Sequence, residues 1–186
     1  MRIIAGKYRG RKVNSPPSLQ TRPTSDRLRE TLFTIIAPRI EGARFLDLCA
    51  GSGAVGIEAL SRGAAHVTFV DRSRKMGGLI EANLEALEVL EDEFEIVCGE
   101  AAEFLRRRAK KEAEPFHIVF YDPPYATVYK VVLDYVGTHT TQLLADEGLM
   151  IVEHHRKNDL EDEFGSLVRY RTLKQGDSCL SFYAPT

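Results

Sequence analysis

The chain has 186 residues, of which 44% are hydrophobic and 28% charged, a composition that predicts one soluble globular domain and excludes disordered, collagen-like and fibrous proteins. The net charge of −2 divides unevenly, since residues 1–30 hold eight Lys or Arg against two acids and the rest hold 17 against 25. Such asymmetry predicts a basic arm that meets a polyanion.

The cysteines and the apolar runs exclude further classes of protein. Cys49, Cys98 and Cys179 are far apart and form no C-x-x-C pair, so neither a disulfide framework nor a structural metal site is expected. We find neither a signal-peptide pattern nor a membrane-spanning run, which favours a cytoplasmic protein without a membrane partner.

Residues 1–38 are predicted to form a basic extension made of a short hairpin and a helix. Thr24 or Ser25 can cap the helix, and Pro38 is expected to end it. The apolar side chains of the helix recur with the spacing of a face packed on the body: Leu28, Leu32, Ile35 and Ile36.

Residues 39–186 are predicted to form the Rossmann-like α/β core of the same domain. Short β-branched and aromatic runs alternate there with longer stretches of helical spacing, which indicates βαβ units on a mostly parallel sheet. Residues 166–173 and 179–183 flank a Lys-Gln-Gly-Asp-Ser turn and predict an antiparallel edge hairpin. This makes seven strands, the first five being residues 44–49, 66–70, 94–98, 117–121 and 149–153.

The first strand leads into Asp47-Leu-Cys-Ala-Gly-Ser-Gly-Ala-Val-Gly56, a glycine turn that opens a helix. Gly51 and Gly53 permit the turn and let a ligand approach bare backbone, while Gly56 allows close packing of the helix on a strand. Asp71 ends the next strand, 20 residues after Gly51, where its carboxylate can reach ribose hydroxyls.

Two cofactors fit this turn. A dinucleotide would place its pyrophosphate on the helix N-terminus, whereas S-adenosylmethionine has no phosphate and carries a sulfonium cation. Asp47, four residues before Gly51, favours the cationic cofactor. Each acid also has a purely structural interpretation, because Asp47 can order the loop and Asp71 can cap the following helix.

The end of the third strand adds two candidate contacts. Glu100 can accept a hydrogen bond from the adenine amine, and the Ala101 amide can face a ring nitrogen. Glu100 is equally explained as an acid favoured at a helix start. The predicted cofactor-binding residues are Asp47, Gly51, Ser52, Gly53, Asp71, Arg72, Glu100 and Ala101.

The sequence Asp122-Pro-Pro-Tyr125 follows the fourth strand and makes a stiff loop at the sheet edge where α/β proteins bind ligands. If the Asp122 carboxylate and the Pro123 carbonyl each accept one hydrogen of a base amine, the nitrogen lone pair can attack a sulfonium methyl. Tyr125 can stack on the extruded base. These three are the predicted catalytic residues of a metal-independent methyl transfer, and a simple Asp-Pro turn is the alternative.

Three blocks of the chain together carry a family resemblance: Arg22-Pro-Thr-Ser-Asp-Arg-Leu-Arg-Glu-Thr-Leu-Phe33, Asp47 through Ala64, and Asp122-Pro-Pro-Tyr125. They resemble the RsmD-type 16S rRNA guanine-N2 methyltransferases. The resemblance implies a class I S-adenosylmethionine-dependent methyltransferase fold and methylation of one guanine amine, with the rRNA in the 30S subunit or an assembly intermediate. One departure is Glu100, where the family usually has Asp.

The basic extension is then the predicted RNA-binding surface. Other functions stay open, because Asp-Pro-Pro-Tyr also suits an adenine-N6 methyltransferase on DNA or RNA. A non-catalytic ribosome-assembly factor that binds the cofactor only as a ligand is a further alternative, as is a dinucleotide oxidoreductase. The predicted RNA-binding residues are Arg9, Arg11, Arg22, Arg27 and Arg29.

Overall fold

The computed structural model describes residues 1–16, 25–124 and 127–186. The chain divides into two compact units, Met1–Gly99 (the N-terminal unit) and Glu100–Thr186 (the C-terminal unit). The prediction of a single domain with an extension ending at residue 38 stays a prediction. Among the described residues, no helix combines the length and the hydropathy needed to cross a bilayer.

The described residues of the N-terminal unit form three helices, a short 3-10 turn and three parallel strands in the order β3-β2-β1. Side chains of β1 and β2 are almost entirely buried, as expected for strands covered on both faces. The elements are α1 (Asp26–Ile40), β1 (Arg44–Leu48), α2 (Ala54–Ser61), β2 (His66–Asp71), α3 (Arg74–Ala86), the 3-10 turn (Glu91–Glu93) and β3 (Phe94–Cys98).

The start of α1 confirms one of its two predicted caps, since the Ser25 hydroxyl accepts a hydrogen bond from the Leu28 N–H at 3.2 Å. The predicted end of α1 is wrong, because the helix continues through Pro38 to Ile40. A proline in the last turn removes only one backbone hydrogen bond, and the chain turns away at Gly42, whose φ is +71°.

The predicted N-terminal hairpin is present in reduced form. A single antiparallel bridge joins Arg2 to Lys12, and Ile3 N–H donates to the Arg11 carbonyl at 3.0 Å. This short pairing reverses the direction of the chain between Arg2 and Lys12.

The C-terminal unit pairs its strands in the order β4-β5-β8-β7-β6, with β4 and β5 parallel and the other pairs antiparallel. The predicted hairpin is confirmed as β7 and β8, which turn through Gly176 with φ +62°. The elements are α4 (Ala101–Arg108), β4 (Phe116–Tyr121), α5 (Tyr129–Thr138), α6 (Thr140–Leu143), β5 (Leu144–His155), β6 (Glu163–Phe164), β7 (Leu167–Gln175) and β8 (Ser178–Pro185).

The predicted Rossmann-like α/β class is confirmed, with parallel strands and an antiparallel hairpin. The predicted strand number is wrong, because the described residues contain eight strands instead of seven. The additional strand, β6, has two residues, Glu163 and Phe164, which pair with Val168 and Leu167. Two residues are too few to show the alternation by which a strand is recognised in a sequence.

Candidate functional site

The turn after β1 is built from residues in the left-handed region. Cys49, Gly51 and Gly53 have φ of 64°, 55° and 76°, a conformation that suits glycine and strains the cysteine. The turn closes with a hydrogen bond from Gly53 N–H to the Ala50 carbonyl at 2.8 Å. Apart from Gly51 and its two chain neighbours, no described residue has an atom within 4 Å of the position that a Cβ on Gly51 would take, so a ligand can approach the backbone there.

Asp47 lies beneath this turn and is buried. Its Oδ2 atom accepts a hydrogen bond from the Gly56 N–H at 2.9 Å, which connects the end of β1 to the first turn of α2. Burial raises the pKa of Asp47 to about 7, although the hydrogen bond from Gly56 opposes the shift, and the negative charge of Asp71 adds to it. A nearby cation would stabilise the ionised form of this carboxyl group.

Asp71, the last residue of β2, binds the backbone of two connections, the glycine turn after β1 and the segment that follows β2. Its Oδ2 accepts from the Gly51 N–H at 2.9 Å, and its Oδ1 accepts from the Ser73 N–H at 2.8 Å. Ser73, not Asp71, is the N-cap of α3. Each carboxylate oxygen has a second acceptor position, so the ordering role of Asp71 leaves capacity to bind ribose hydroxyls.

The N-terminal unit thus brings the predicted cofactor residues Asp47, Gly51, Gly53 and Asp71 into one hydrogen-bonded turn. Ser52, between the two glycines, is buried, while Arg72, directly after Asp71, is exposed. An open glycine backbone with two acidic side chains fits a cationic ligand that also carries hydroxyl groups.

The other two predicted cofactor residues lie at the start of the C-terminal unit. Glu100 is the N-cap of α4, and its carbonyl accepts a hydrogen bond from the Phe104 N–H at 2.9 Å. Glu100 is exposed and Ala101 is buried. This placement agrees with a helix-start acid, and the adenine contact of Glu100 stays a prediction.

The Asp122-Pro-Pro segment begins directly where β4 ends. Asp122 is partly buried, Pro123 is buried and Pro124 is exposed. The Pro124 carbonyl accepts a hydrogen bond from the Thr127 N–H at 2.9 Å. Tyr125, the predicted stacking residue, lies outside the described residues.

The predicted RNA-binding arginines have different environments. Arg9 and Arg27 are exposed. Arg11 is exposed as well, but its guanidinium donates to the backbone carbonyls of Ala86 and Leu87 at the end of α3, where a cation is favoured by the helix dipole. Arg22 lies outside the described residues.

The prediction for Arg29 is corrected by its burial. Only 1% of its side chain is exposed, and its guanidinium lies 3.6 Å from the Glu58 carboxylate and 3.2 Å from that of Asp26. It also donates to the Arg2 carbonyl at 2.7 Å. Arg29 therefore stabilises the N-terminal unit and is not accessible to phosphates.

Sequence reasoning missed Glu58, the acidic partner of Arg29. Every residue of α2 is buried, Glu58 included. An acid within the otherwise small and apolar helix Ala-Val-Gly-Ile-Glu-Ala-Leu-Ser was the available signal, because buried acids are rare unless they are paired.

Comparison with known proteins identifies several close matches. A family model described as "Conserved hypothetical protein 95" matches residues 1–184. The Bacillus subtilis protein "Putative rRNA methyltransferase YlbH" is 38% identical over 184 residues, which cover 98% of this chain and 98% of the relative. "Ribosomal RNA small subunit methyltransferase D" of Escherichia coli is 40% identical over 161 residues, which cover 86% of this chain and 77% of the relative.

Solved structures give the same picture of the fold. "Putative methyltransferase yhhF from Escherichia coli" matches with a TM-score of 0.85 and 36% identity, covering 100% of this chain and 97% of that chain. "SMU.776, a putative methyltransferase complexed with SAH" matches with a TM-score of 0.66 and 16% identity, covering 84% of this chain and 49% of that chain. The second match shows a shared fold alone.

Proposed function

Because this chain belongs to the RsmD family of rRNA methyltransferases, we propose that it transfers a methyl group from S-adenosylmethionine to the N2 amine of one guanine in 16S rRNA. The Escherichia coli relative is named for small-subunit rRNA, and a protein of the same fold binds S-adenosylhomocysteine. Both support the proposed substrate and cofactor classes.

The observation that carries the proposal is the glycine turn held by two carboxylates. Asp71 binds the Gly51 N–H at 2.9 Å and keeps acceptor capacity for ribose hydroxyls. Asp47 supplies a buried carboxyl group whose pKa is raised by burial to about 7, and a bound cation would return it to the ionised form. S-adenosylmethionine supplies such a cation together with the methyl group that its sulfonium activates.

The acceptor base would be held by the residues that follow β4. The Asp122 carboxylate and the Pro123 carbonyl would each accept a hydrogen bond from the exocyclic amine. This reduces the delocalisation of the nitrogen lone pair into the ring. As the nitrogen–carbon bond forms, the sulfur–carbon bond breaks with its electron pair left on sulfur. Asp122 or a water molecule then takes the proton that the nitrogen loses. Tyr125 would stack on the base.

Contact with rRNA is assigned to the basic N-terminal extension. Arg9 and Arg27 are exposed there, and guanidinium groups bind phosphate oxygens in a sequence-independent way. We also assign phosphate contacts to Arg22 and to those N–H groups of Arg11 that do not bind the end of α3. The 30S subunit or an assembly intermediate is the proposed form of the substrate.

The proposal is tested by offering the purified protein radiolabelled S-adenosylmethionine with 30S particles, protein-free 16S transcripts and duplex DNA. We expect label on guanine N2 of 16S rRNA, and none after Asp122→Ala. Label on adenine alone would establish the adenine-N6 alternative. Absence of transfer to any substrate, together with rRNA and cofactor binding, would instead favour a non-catalytic assembly factor.

A further inference from the structure

Glu58 sits at the centre of a hydrogen-bonded network inside the N-terminal unit. Its side chain is 1% exposed, yet its two oxygens accept the backbone N–H groups of Ile4 at 2.9 Å and Ala5 at 3.0 Å. Arg62 Nε donates to the same carboxylate at 2.7 Å, and Arg29 Nε lies 3.6 Å away. One buried carboxylate thus joins residues 1–16, which we call the N-terminal segment, to α1 and α2.

Ser61, the last residue of α2, makes a second attachment three residues further along the helix. Its carbonyl accepts the Lys7 N–H at 2.7 Å, its hydroxyl donates to the Ala5 carbonyl at 2.5 Å, and the same hydroxyl accepts from Tyr8 N–H at 3.0 Å. A Cβ on Gly6 would lie 1.7 Å from the Ser61 carbonyl oxygen. The backbone of residues 4–8 therefore lies directly against α2.

The two ends of α2 consequently serve two parts of the molecule. Its first turn belongs to the glycine turn, since Gly53 is its N-cap and Gly56 N–H binds Asp47. Its second half holds the segment whose exposed cations include Lys7 and Arg9. An eight-residue helix is about 12 Å long and rigid, so it sets the distance between these two regions.

Stability alone is a poor reason for this network. Desolvating a buried ion pair costs about as much as the pair returns, and a well-packed apolar pair of similar volume is often as stable. The Glu58 carboxylate instead orients the N-terminal segment, because each hydrogen bond that it accepts fixes the orientation of one peptide group of that segment.

We propose that Glu58 is a positioning residue that holds the basic N-terminal segment at a fixed distance from the glycine turn. The segment thereby places the rRNA that it binds at the position that methyl transfer requires. This inference rests on the proposed function. Glu58 is buried and acts through the backbone N–H groups of Ile4 and Ala5, whose hydrogen bonds it accepts.

The test uses two variants of the full-length protein and one matched control. Glu58→Gln removes the charge and one acceptor, and Ser61→Ala removes only the hydroxyl, so it remains informative if Glu58→Gln does not fold. The control is Thr138→Ala in the C-terminal unit, which deletes a hydroxyl that donates to a helix carbonyl at 2.9 Å. For each protein we would measure kcat, KM for 30S particles, the cofactor Kd and Tm.

We expect KM for 30S particles to rise about tenfold in Glu58→Gln and about threefold in Ser61→Ala, with kcat and the cofactor Kd unchanged within about twofold. The salt dependence of RNA binding should weaken in both, because fewer phosphate contacts form together. The Ile4 and Ala5 amides should exchange their hydrogens faster. The control should match the wild type in all of these.

A purely structural role gives a different pattern. Tm, kcat and cofactor binding would then fall together while KM for 30S particles stayed constant, and this result would overturn the proposal, as would a Ser61→Ala protein with wild-type KM and salt dependence. If the wild type transfers no methyl group to any RNA, the proposed function fails. RNA affinity and its salt dependence, measured by direct binding, would still decide whether Glu58 positions the segment.

Discussion

The carboxylate of Asp47 accepts a hydrogen bond from the backbone N–H of Gly56 at 2.9 Å, which connects the end of β1 to the first turn of α2. Burial raises the pKa of Asp47 to about 7 against this hydrogen bond. The cofactor-free protein therefore carries a carboxyl group that titrates near neutral pH inside its proposed binding site, and both stability and ligand affinity should depend on that titration.

Stability should fall as the pH rises through the pKa of Asp47. Between pH 4 and 7 the folded protein keeps a proton that the unfolded chain has released, so the stability contributed by this group is complete below about pH 4 and is lost above about pH 7. The shift from 3.8 to about 7 corresponds to at most about 4 kcal/mol.

We therefore expect Asp47→Asn to be more stable than the wild type by about 1.5 kcal/mol at pH 5 and by up to about 4 kcal/mol at pH 8. Urea unfolding without cofactor at both pH values measures the difference. Asp146→Asn, at an exposed position in the C-terminal unit, is the control. An Asp47→Asn protein that loses stability equally at both pH values would contradict the raised pKa.

Affinity for S-adenosylmethionine should change in the opposite direction. A cation bound beside Asp47 favours the ionised form, so we expect affinity to rise about tenfold between pH 6 and 8 and to become nearly independent of pH in Asp47→Asn. Calorimetry in buffers of different ionisation enthalpy would detect the released proton. S-adenosylhomocysteine, which lacks the sulfonium charge, should show a weaker dependence, and equal dependence for both ligands would argue against a contact with the cation.

Much of the fold could be predicted from the sequence because it rests on local patterns. The apolar runs of the parallel strands and the Gly-containing turn between β7 and β8 report directly on burial and backbone conformation. The predicted close packing at Gly56 is confirmed, since a Cβ there would lie 2.2 Å from a ring carbon of Phe69. β6 was not predicted because a strand of two residues is too short to show a periodic pattern.

The error at Arg29 arose because its acidic partner is distant in the sequence. Arg29 was grouped with exposed arginines because its partner Glu58 lies 29 residues later and on another helix. A signal was nevertheless present, since Arg29, Phe33, Ile36 and Ile40 follow helical spacing and all are buried. A cation on such a stripe predicts a buried acid elsewhere in the chain.

The contrast between Arg27 and Arg29 can be measured directly. Arg27→Ala should weaken RNA binding several-fold and lower the salt slope by about one, with the free energy of unfolding unchanged, because this side chain is exposed. Arg29→Ala should instead lower the free energy of unfolding by about 3 kcal/mol, since Glu58 would stay buried without it. Equal loss of cofactor affinity in Arg27→Ala would place that residue at the cofactor pocket and contradict its assignment to RNA.

The two glycines at the start of α3 allow a gain in stability. Gly78 is exposed inside the helix, and beyond its chain neighbours and the helix backbone no described residue has an atom within 4 Å of an added Cβ. Gly78→Ala should therefore stabilise the protein by about 0.5–1 kcal/mol through lower entropy of the unfolded chain. Gly56→Ala, which overlaps Phe69, should destabilise it by about 1–3 kcal/mol, and thermal unfolding of both variants measures the difference. A destabilised Gly78→Ala protein would show that α3 is strained at this position.

Substitution of Asp122, which directly follows β4, should slow the chemical step without changing cofactor binding. Asp122→Asn keeps one carbonyl acceptor for the base amine but loses the negative charge that stabilises the cation developing on nitrogen, so kcat should fall about 100-fold or more. The cofactor Kd and Tm should stay close to those of the wild type, because the change is nearly isosteric at a partly buried position.

Single-turnover methylation of 30S particles measures the effect on the chemical step directly, and Asp146→Asn again controls for loss of an acidic side chain. If kcat were retained in Asp122→Asn, Asp122 would be limited to shaping the turn, and the proton would have to leave the amine through water.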